Sequence, residues 1–177
     1  MSADPAPPRI RPQLDADTIL NAALRLARDG GTEPLTVRRL GKELGADPTA
    51  IYRHFRDKDE LIRAVIDQLI GDGAARIDVE AEWRTRLTTL ADVTLEIFTA
   101  HPTIGAEAAT RTTGGQGELA AVDLIIRAMV EAGLGPDDSV RYYAVFSSYL
   151  LAFCSAQARA LLVAGPTAYD DDPRWVG

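Results

Sequence analysis

Apolar side chains recur along this chain every three to four positions, and the stretches between them carry helix-starting and helix-stopping residues. Asp15 can cap a first helix whose inner face is Ile19, Ala23, Leu26 and Ala27, and Gly30-Gly31 stops it. Pro34 bars an immediate restart. Thr36 can cap a short second helix with Val37, Leu40 and Leu44 on one side and Arg38, Arg39 and Lys42 on the other, and Gly45 ends it. Asp47-Pro48 joins an N-cap to a proline at the first helical position, so a third helix is expected from Pro48 to about Phe55. Asp57 with Glu60 offers a capping box for a fourth helix, with Leu61, Val65 and Leu69 inside and an end at Gly71-Asp72-Gly73.

Longer helices are expected over about 82–100, 103–110, 118–132 and 136–164. Pro102 breaks the first pair, the Gly-rich stretch 112–117 reads as a flexible loop, and Gly133 closes the third. There is no strand alternation and no internal repeat, so the fold class is all-α: an N-terminal three-helix module joined to a C-terminal helical bundle. Four of the ten prolines fall in the first twelve positions, which makes 1–14 a disordered arm. Its Arg9 and Arg11 fit either a solvated tail or an arm reaching a minor groove. Asp170-Asp171-Asp172-Pro173 reads as a loose tail. The expected divisions are 1–14, the arm; 15–56, a helix-turn-helix unit; 57–72, a connecting helix; and 73–177, the body.

Net charge is −7, which by itself argues against a nucleic-acid partner, but its distribution changes that. Residues 1–70 carry 11 basic and 11 acidic side chains, whereas 71–177 carry 8 and 15. Within 35–63 basic groups exceed acidic ones by two, a locally positive tip on an acidic body, suited to end-on contact with phosphates. No apolar run approaches the ~18–20 residues of a membrane span, and MSADPAPPRI lacks a secretory h-region, so a cytoplasmic protein with no membrane partner is expected. The single Cys154 excludes an internal disulfide and reads as a small buried apolar residue.

Two short helices separated by Gly45-Ala46-Asp47, with basic outer faces, match the helix-turn-helix pattern. The second helix of such a pair enters the major groove. Its exposed positions would be Pro48, Thr49, Arg53 and His54; Ala50 permits close approach, and Ile51 and Phe55 would anchor it. Residues 15–70 resemble the DNA-binding domain of the Tet-repressor family. The matching positions are Leu35-Thr36-x-Arg38-x-Leu40-x-x-x-Leu44-Gly45, Ile51-Tyr52-x-His54-Phe55 and Asp57-Lys58-x-x-Leu61. The resemblance implies a ligand-responsive transcriptional regulator, most readily a repressor, that binds a palindromic double-stranded operator as a homodimer. It implies phosphate contacts from Thr36, Tyr52, His54 and Lys58, and base contacts from Arg38, Thr49 and Ala50, with Arg39 on the same basic face. It also implies that the fourth helix carries ligand-driven movement to the reading head. Pro48 stands where relatives often place a polar reader, which shifts weight to Arg38, Thr49 and Arg53.

The same resemblance implies a cavity for a small-molecule effector in the body. Candidate lining residues are Leu87, Leu90, Thr94, Ile97, Phe98, His101, Ile104, Met129, Tyr142, Phe146 and Tyr149, each of which equally fits ordinary core. His101 could be a polar group of that cavity or a ligand to a drug-chelated metal; no second histidine or carboxylate cluster stands near it, and no metal site or cofactor is expected. Trp83 reads as a packing anchor. The last helix carries Ala144, Ser147, Ser148, Ala152, Ser155, Ala156 and Ala160, small enough for close helix packing in a dimer bundle or within the subunit. No G-x-S-x-G or P-loop occurs, and Gly114-Gly115-Gln116-Gly117 lacks the strand–helix context for phosphate binding, so an enzyme is not expected.

Overall fold

The first four helices start where capping residues stand. The computed structural model describes residues 14–164, so most of the expected arm and the 170–173 tail lie outside the described residues. Asp15 Oδ1 accepts from the Thr18 amide at 2.7 Å and opens α1 (Ala16–Asp29). Thr36 Oγ1 accepts from the Arg39 amide at 3.2 Å and opens α2 (Val37–Leu44). Gly45 closes α2 at φ 59°, a left-handed conformation that would strain any residue with a Cβ.

Asp47 caps α3 (Pro48–Ile51), which is shorter than the helix expected to Phe55. The chain tightens after Ile51 because the His54 amide takes the Ile51 carbonyl three residues back, and Phe55 is buried before the next cap arrives. Asp57 accepts from the Glu60 amide at 2.7 Å and opens α4 (Lys58–Ala74). The box is not reciprocal, since the Glu60 carboxylate turns to the Arg56 amide and guanidinium instead.

The body is α5 (Trp83–Ala100), α6 (Pro102–Ala108), α7 (Gln116–Glu131) and α8 (Pro136–Ala164). One continuous apolar core joins head and body. Ile19, Leu40, Ile51 and Leu61 fill the head, Val65 and Ile66 continue it along α4, and Phe98, Ile104, Ile125 and Ala128 fill the body. Burying each such aliphatic or aromatic side chain contributes about 1.5–3 kcal/mol. α4 is the shared element, packed against α1 on one side and against α5, α6 and α7 on others. Arg86 is buried in this core, where it pairs with Glu131 of α7 and donates to the Val79 carbonyl at 3.3 Å, tying α5 to its neighbours. Trp83 is half-buried, with the Arg84 guanidinium 4.3 Å over its ring.

Contrary to the reading of the sequence, one helix among the described residues is long and apolar enough to cross a membrane. It is Pro136–Val163, with a window of mean hydropathy 1.3. It packs on α5, α6 and α7, and its outer face carries exposed apolar side chains, among them Tyr142, Val145 and Tyr149.

Candidate nucleic-acid interface and ligand cavity

α2 and α3 meet around the tight turn at Gly45 and present a basic surface. Arg38, Lys42, Arg53, His54 and Lys58 are all exposed on it, and Tyr52 is 46% exposed although aromatic. Beneath them, Ile51 is wholly buried and Phe55 nearly so, which fixes α3 on the head. Pro48 and Thr49 are exposed and Ala50 is half-buried. The Thr49 hydroxyl donates to the Asp47 carboxylate at 2.6 Å, so its hydrogen is used within the helix cap. Thr36 likewise spends a lone pair on the Arg39 amide, but its hydroxyl hydrogen has no acceptor among the described residues.

Arg39 departs from expectation. Its guanidinium folds back over the α1–α2 turn, donating to the Glu33 and Pro34 carbonyls at 3.0 Å each, and it pairs with the Glu33 carboxylate at 3.1 Å. Arg38, one residue earlier, stays exposed, because a step of about 100° along a helix places the two on different faces. Arg39 therefore braces the turn rather than the reading surface.

A cavity of about 410 Å³ opens in the body between α4, α5, α7 and α8, bounded by the segment after α6. Of the residues expected to line it, Leu90 and Thr94 do so. Leu87, Phe98 and Met129 are core residues that line none of the described cavities. Ile97 and His101 face a different cleft, of about 710 Å³, between α1, α4 and α5. His101 is buried there with Nδ1 2.8 Å from the Ile97 carbonyl; a carbonyl only accepts, so Nδ1 carries the proton. Ile104 borders a small space of about 120 Å³ at the joint of head and body.

Phe146 and Tyr149 line a groove between α5 and α8, not the cavity, and Tyr142 lines none of these spaces. Tyr142 and Tyr149 are 50% and 73% exposed, on the opposite side of α8 from Tyr143, Ser147 and Leu151. The small residues of α8 divide between the same two sides. Ser155 is buried and accepts from the Ala109 amide at 3.1 Å, whereas Ala144, Ser148, Ala152, Ala156 and Ala160 are exposed, Ser148 and Ala152 while also lining the cavity.

The stretch 112–117, expected to be a flexible loop, belongs to a segment, 109–118, that is held on both sides. α7 starts at Gln116 with no capping side chain of its own. Asp67, on α4, supplies the cap: its carboxylate accepts from the Gly117 amide at 3.0 Å, the Glu118 amide at 2.9 Å and the Thr113 hydroxyl at 2.7 Å. The approach needs glycine at 117, where a Cβ would run into the Asp67 carbonyl and stand 2.8 Å from the Gly71 amide nitrogen. Glu118 faces back and accepts from the Thr113 and Gly114 amides at 2.7 and 2.8 Å. Burial raises the Glu118 pKa, but the hydrogen bonds from Gly114 and Thr113 together outweigh it and hold the carboxyl below its usual range. Eight residues earlier on α4, roughly 12 Å along the axis, Asp59 pairs with Arg111 at 3.0 Å. Arg111 also pairs with Glu107 at 2.8 Å. The segment that borders the cavity thus grips α4 at two points.

Comparison with known proteins places this architecture. Residues 19–65 match the family described as bacterial regulatory proteins, tetR family, and residues 78–169 match the tetracyclin repressor-like C-terminal domain. An HTH-type transcriptional regulator of Saccharopolyspora erythraea is 28% identical over 150 residues, 85% of this chain; the chain spans 64% of that relative's length. A putative transcriptional regulator from Streptomyces coelicolor A3(2) superposes with a TM-score of 0.71 at 30% identity, covering 84% of this chain and 75% of that one. BioQ, solved with its natural double-stranded DNA operator, superposes with a TM-score of 0.71 at 28% identity, covering 86% of this chain and 98% of that one. These relatives are regulators, not enzymes. The helix-turn-helix head, the shared α4 and the helical body are those of their fold, and the chain belongs to the tetR family of bacterial regulatory proteins.

Proposed function

We propose that this protein is a cytoplasmic, ligand-responsive transcriptional repressor that holds a palindromic operator as a homodimer and releases it when a small molecule enters the 410 Å³ cavity. The observation that carries the reading is the double grip of segment 109–118. Arg111, Thr112 and Glu118 border the cavity, while Arg111, Thr113 and the α7 amides hold α4, whose first turn follows directly on the reading helix. An occupant that displaces the segment moves α4 with it. The head is read as 15–56, the connecting helix as 57–72 and the body as 73–177. Support for the DNA partner comes from the exposed basic face of the head and from the likeness to BioQ, which was solved on its operator.

Support for the homodimer comes from the outer faces of α7 and α8. Val130, Val140, Tyr142, Val145, Tyr149 and Val163 are each at least half exposed there, a concentration of apolar surface that soluble monomers seldom leave uncovered. Two such helix pairs form a four-helix interface and place two heads on two half-sites. Light scattering should give about twice 19.1 kDa, and Tyr149→Arg should shift the protein toward monomer.

The decisive test compares two variants on an operator obtained by selection from random oligonucleotides. Lys58→Ala should weaken all sequences alike and lower the salt slope by about one unit per subunit. Arg38→Ala should relax one base pair in each half-site, since a bidentate arginine–guanine contact contributes about 1–3 kcal/mol of discrimination. Identical sequence preferences for wild type and Arg38→Ala would move base reading to Arg53.

A further inference from the structure

The walls of the 410 Å³ cavity restrict what can occupy it. Its volume sits at the low end of the range of about 300–1,000 Å³ typical of ligand pockets. Ile70, Leu90, Val122, Ile125 and Leu151 make most of it aliphatic. Only two ionised side chains border it, Arg111 and Glu118, and both are already engaged. Arg111 is taken by Asp59 and Glu107. Glu118 already receives the two loop amides and lies against the Thr113 hydroxyl. With Asp59, Asp67, Glu107 and Glu118 around Arg111 and Arg63, the local balance is negative. An anion entering here meets repulsion, and a cation would leave water for an apolar chamber whose one carboxylate is already hydrogen-bonded.

The neutral polar groups are arranged differently. The Thr94 and Thr110 hydroxyls are spent on the Leu90 and Glu107 carbonyls, at 2.7 and 2.9 Å. Tyr143, Ser148 and, on the loop, Thr112 make no side-chain hydrogen bond among the described residues, and Ser147 makes only a 3.4 Å contact with the Ala144 carbonyl. Tyr143, Ser147 and the exposed Ser148 line the α8 wall at spacings of four and one, a short row of available hydroxyls on a chamber whose other walls are mainly aliphatic.

We propose that the occupant is an uncharged, largely apolar molecule with one oxygen-bearing edge, whose hydroxyl or carbonyl groups meet Tyr143, Ser147 and Ser148 while its apolar body packs on α4, α5 and α7. The proposal rests on the reading of this cavity as the effector site, and it names the class of effector.

The test uses the full chain and three probes sharing one tricyclic core: neutral 1-hydroxyanthraquinone, anthraquinone-2-sulfonate and 2-(trimethylammoniomethyl)anthraquinone. Affinities are measured by equilibrium dialysis on the wild type and on Ala121→Trp, which fills the cavity from α7; Val122→Phe serves if that variant does not fold. The neutral probe should bind at least tenfold more tightly than either ion, and the filled variant should lose it. Tyr143→Phe with Ser148→Ala should weaken the neutral probe roughly tenfold, the effect of one or two neutral hydrogen bonds. If either ion matches the neutral probe and is also lost on filling, the class is wrong while the cavity reading stands. Neutral binding that survives filling overturns the cavity reading and the proposal with it. No neutral binding at the solubility limit overturns the proposal.

Discussion

Asp67→Ala removes the cap of α7 without touching α7 itself, and its cost can be worked from the contacts. Three donors lose their acceptor: the Gly117 and Glu118 amides and the Thr113 hydroxyl. The hydroxyl loses least, because it already lies 2.8 Å from the Glu118 carboxylate and can turn to it. The two amides are partly buried and regain water only in part. Loss of an N-cap costs about 0.5–2 kcal/mol, and a buried unpaired donor about 1–3 kcal/mol. Relief of the repulsion between Asp67 and Glu118 returns a fraction of this. A net loss of about 2–3 kcal/mol follows, which for a chain of this size lowers the melting temperature by roughly 5–10 °C. Asp72→Ala is the control, since among the described residues that carboxylate meets only the exposed Gln68 side chain at 2.7 Å. Circular dichroism melts at one fixed protomer concentration make the comparison, because dimerisation otherwise shifts the midpoint. Gly117→Ala should be worse than Asp67→Ala, as its Cβ meets backbone rather than side chain. Melting temperatures for Asp67→Ala and Asp72→Ala within a degree of each other would refute the cross-helix cap.

Other consequences follow from single positions. Gly45→Ala forces a Cβ into a left-handed residue at φ 59° and should cost about 1–2 kcal/mol in a urea melt. The Glu118 carboxyl is held below its ordinary value of 4.5, so its contribution is complete above that pH and is lost as pH falls through the lowered value; Glu118→Gln should flatten the stability profile in that acid window and leave its slope near pH 7 unchanged. Cys154 is fully buried and its thiol is pushed up to about 11 by that burial, so it should not react with a disulfide reagent at pH 8 until denaturant is added.

The helix starts were legible because their causes are local. Asp15, Thr36, Asp47 and Asp57 each cap a helix from within three residues, and Gly45 ends one for reasons internal to its own backbone. The basic head was legible for the same reason, apart from Arg39, whose side chain is captured by carbonyls five and six residues away. The cavity was only partly legible. Helical spacing marks an inward face but does not say whether that face meets a neighbour, as Phe98 does, or a space, as Leu90 does. α8 is apolar on both sides, so nothing in its period distinguished Tyr143 from Tyr142 or Tyr149. The cap of α7 was out of reach, since it joins residues 50 positions apart. Its one trace was a helix opening on Gly-Gly-Gln-Gly with no capping side chain, a pattern that reads as slack unless a partner from elsewhere is suspected.

That cap bears on how the chain can be divided. The two matched segments part between residues 65 and 78, which invites a cut there. Asp59 and Asp67 sit on the head's side of α4's sequence or between the segments, yet they hold the body's loop and the start of α7. A body begun at residue 78 would leave α7 with bare amides and Arg111 with a single carboxylate, and a head ended at 65 would leave Asp59 with Arg63 alone. The seam between the two units runs lengthwise down α4, so neither half can be excised at a residue number without taking surface that belongs to the other.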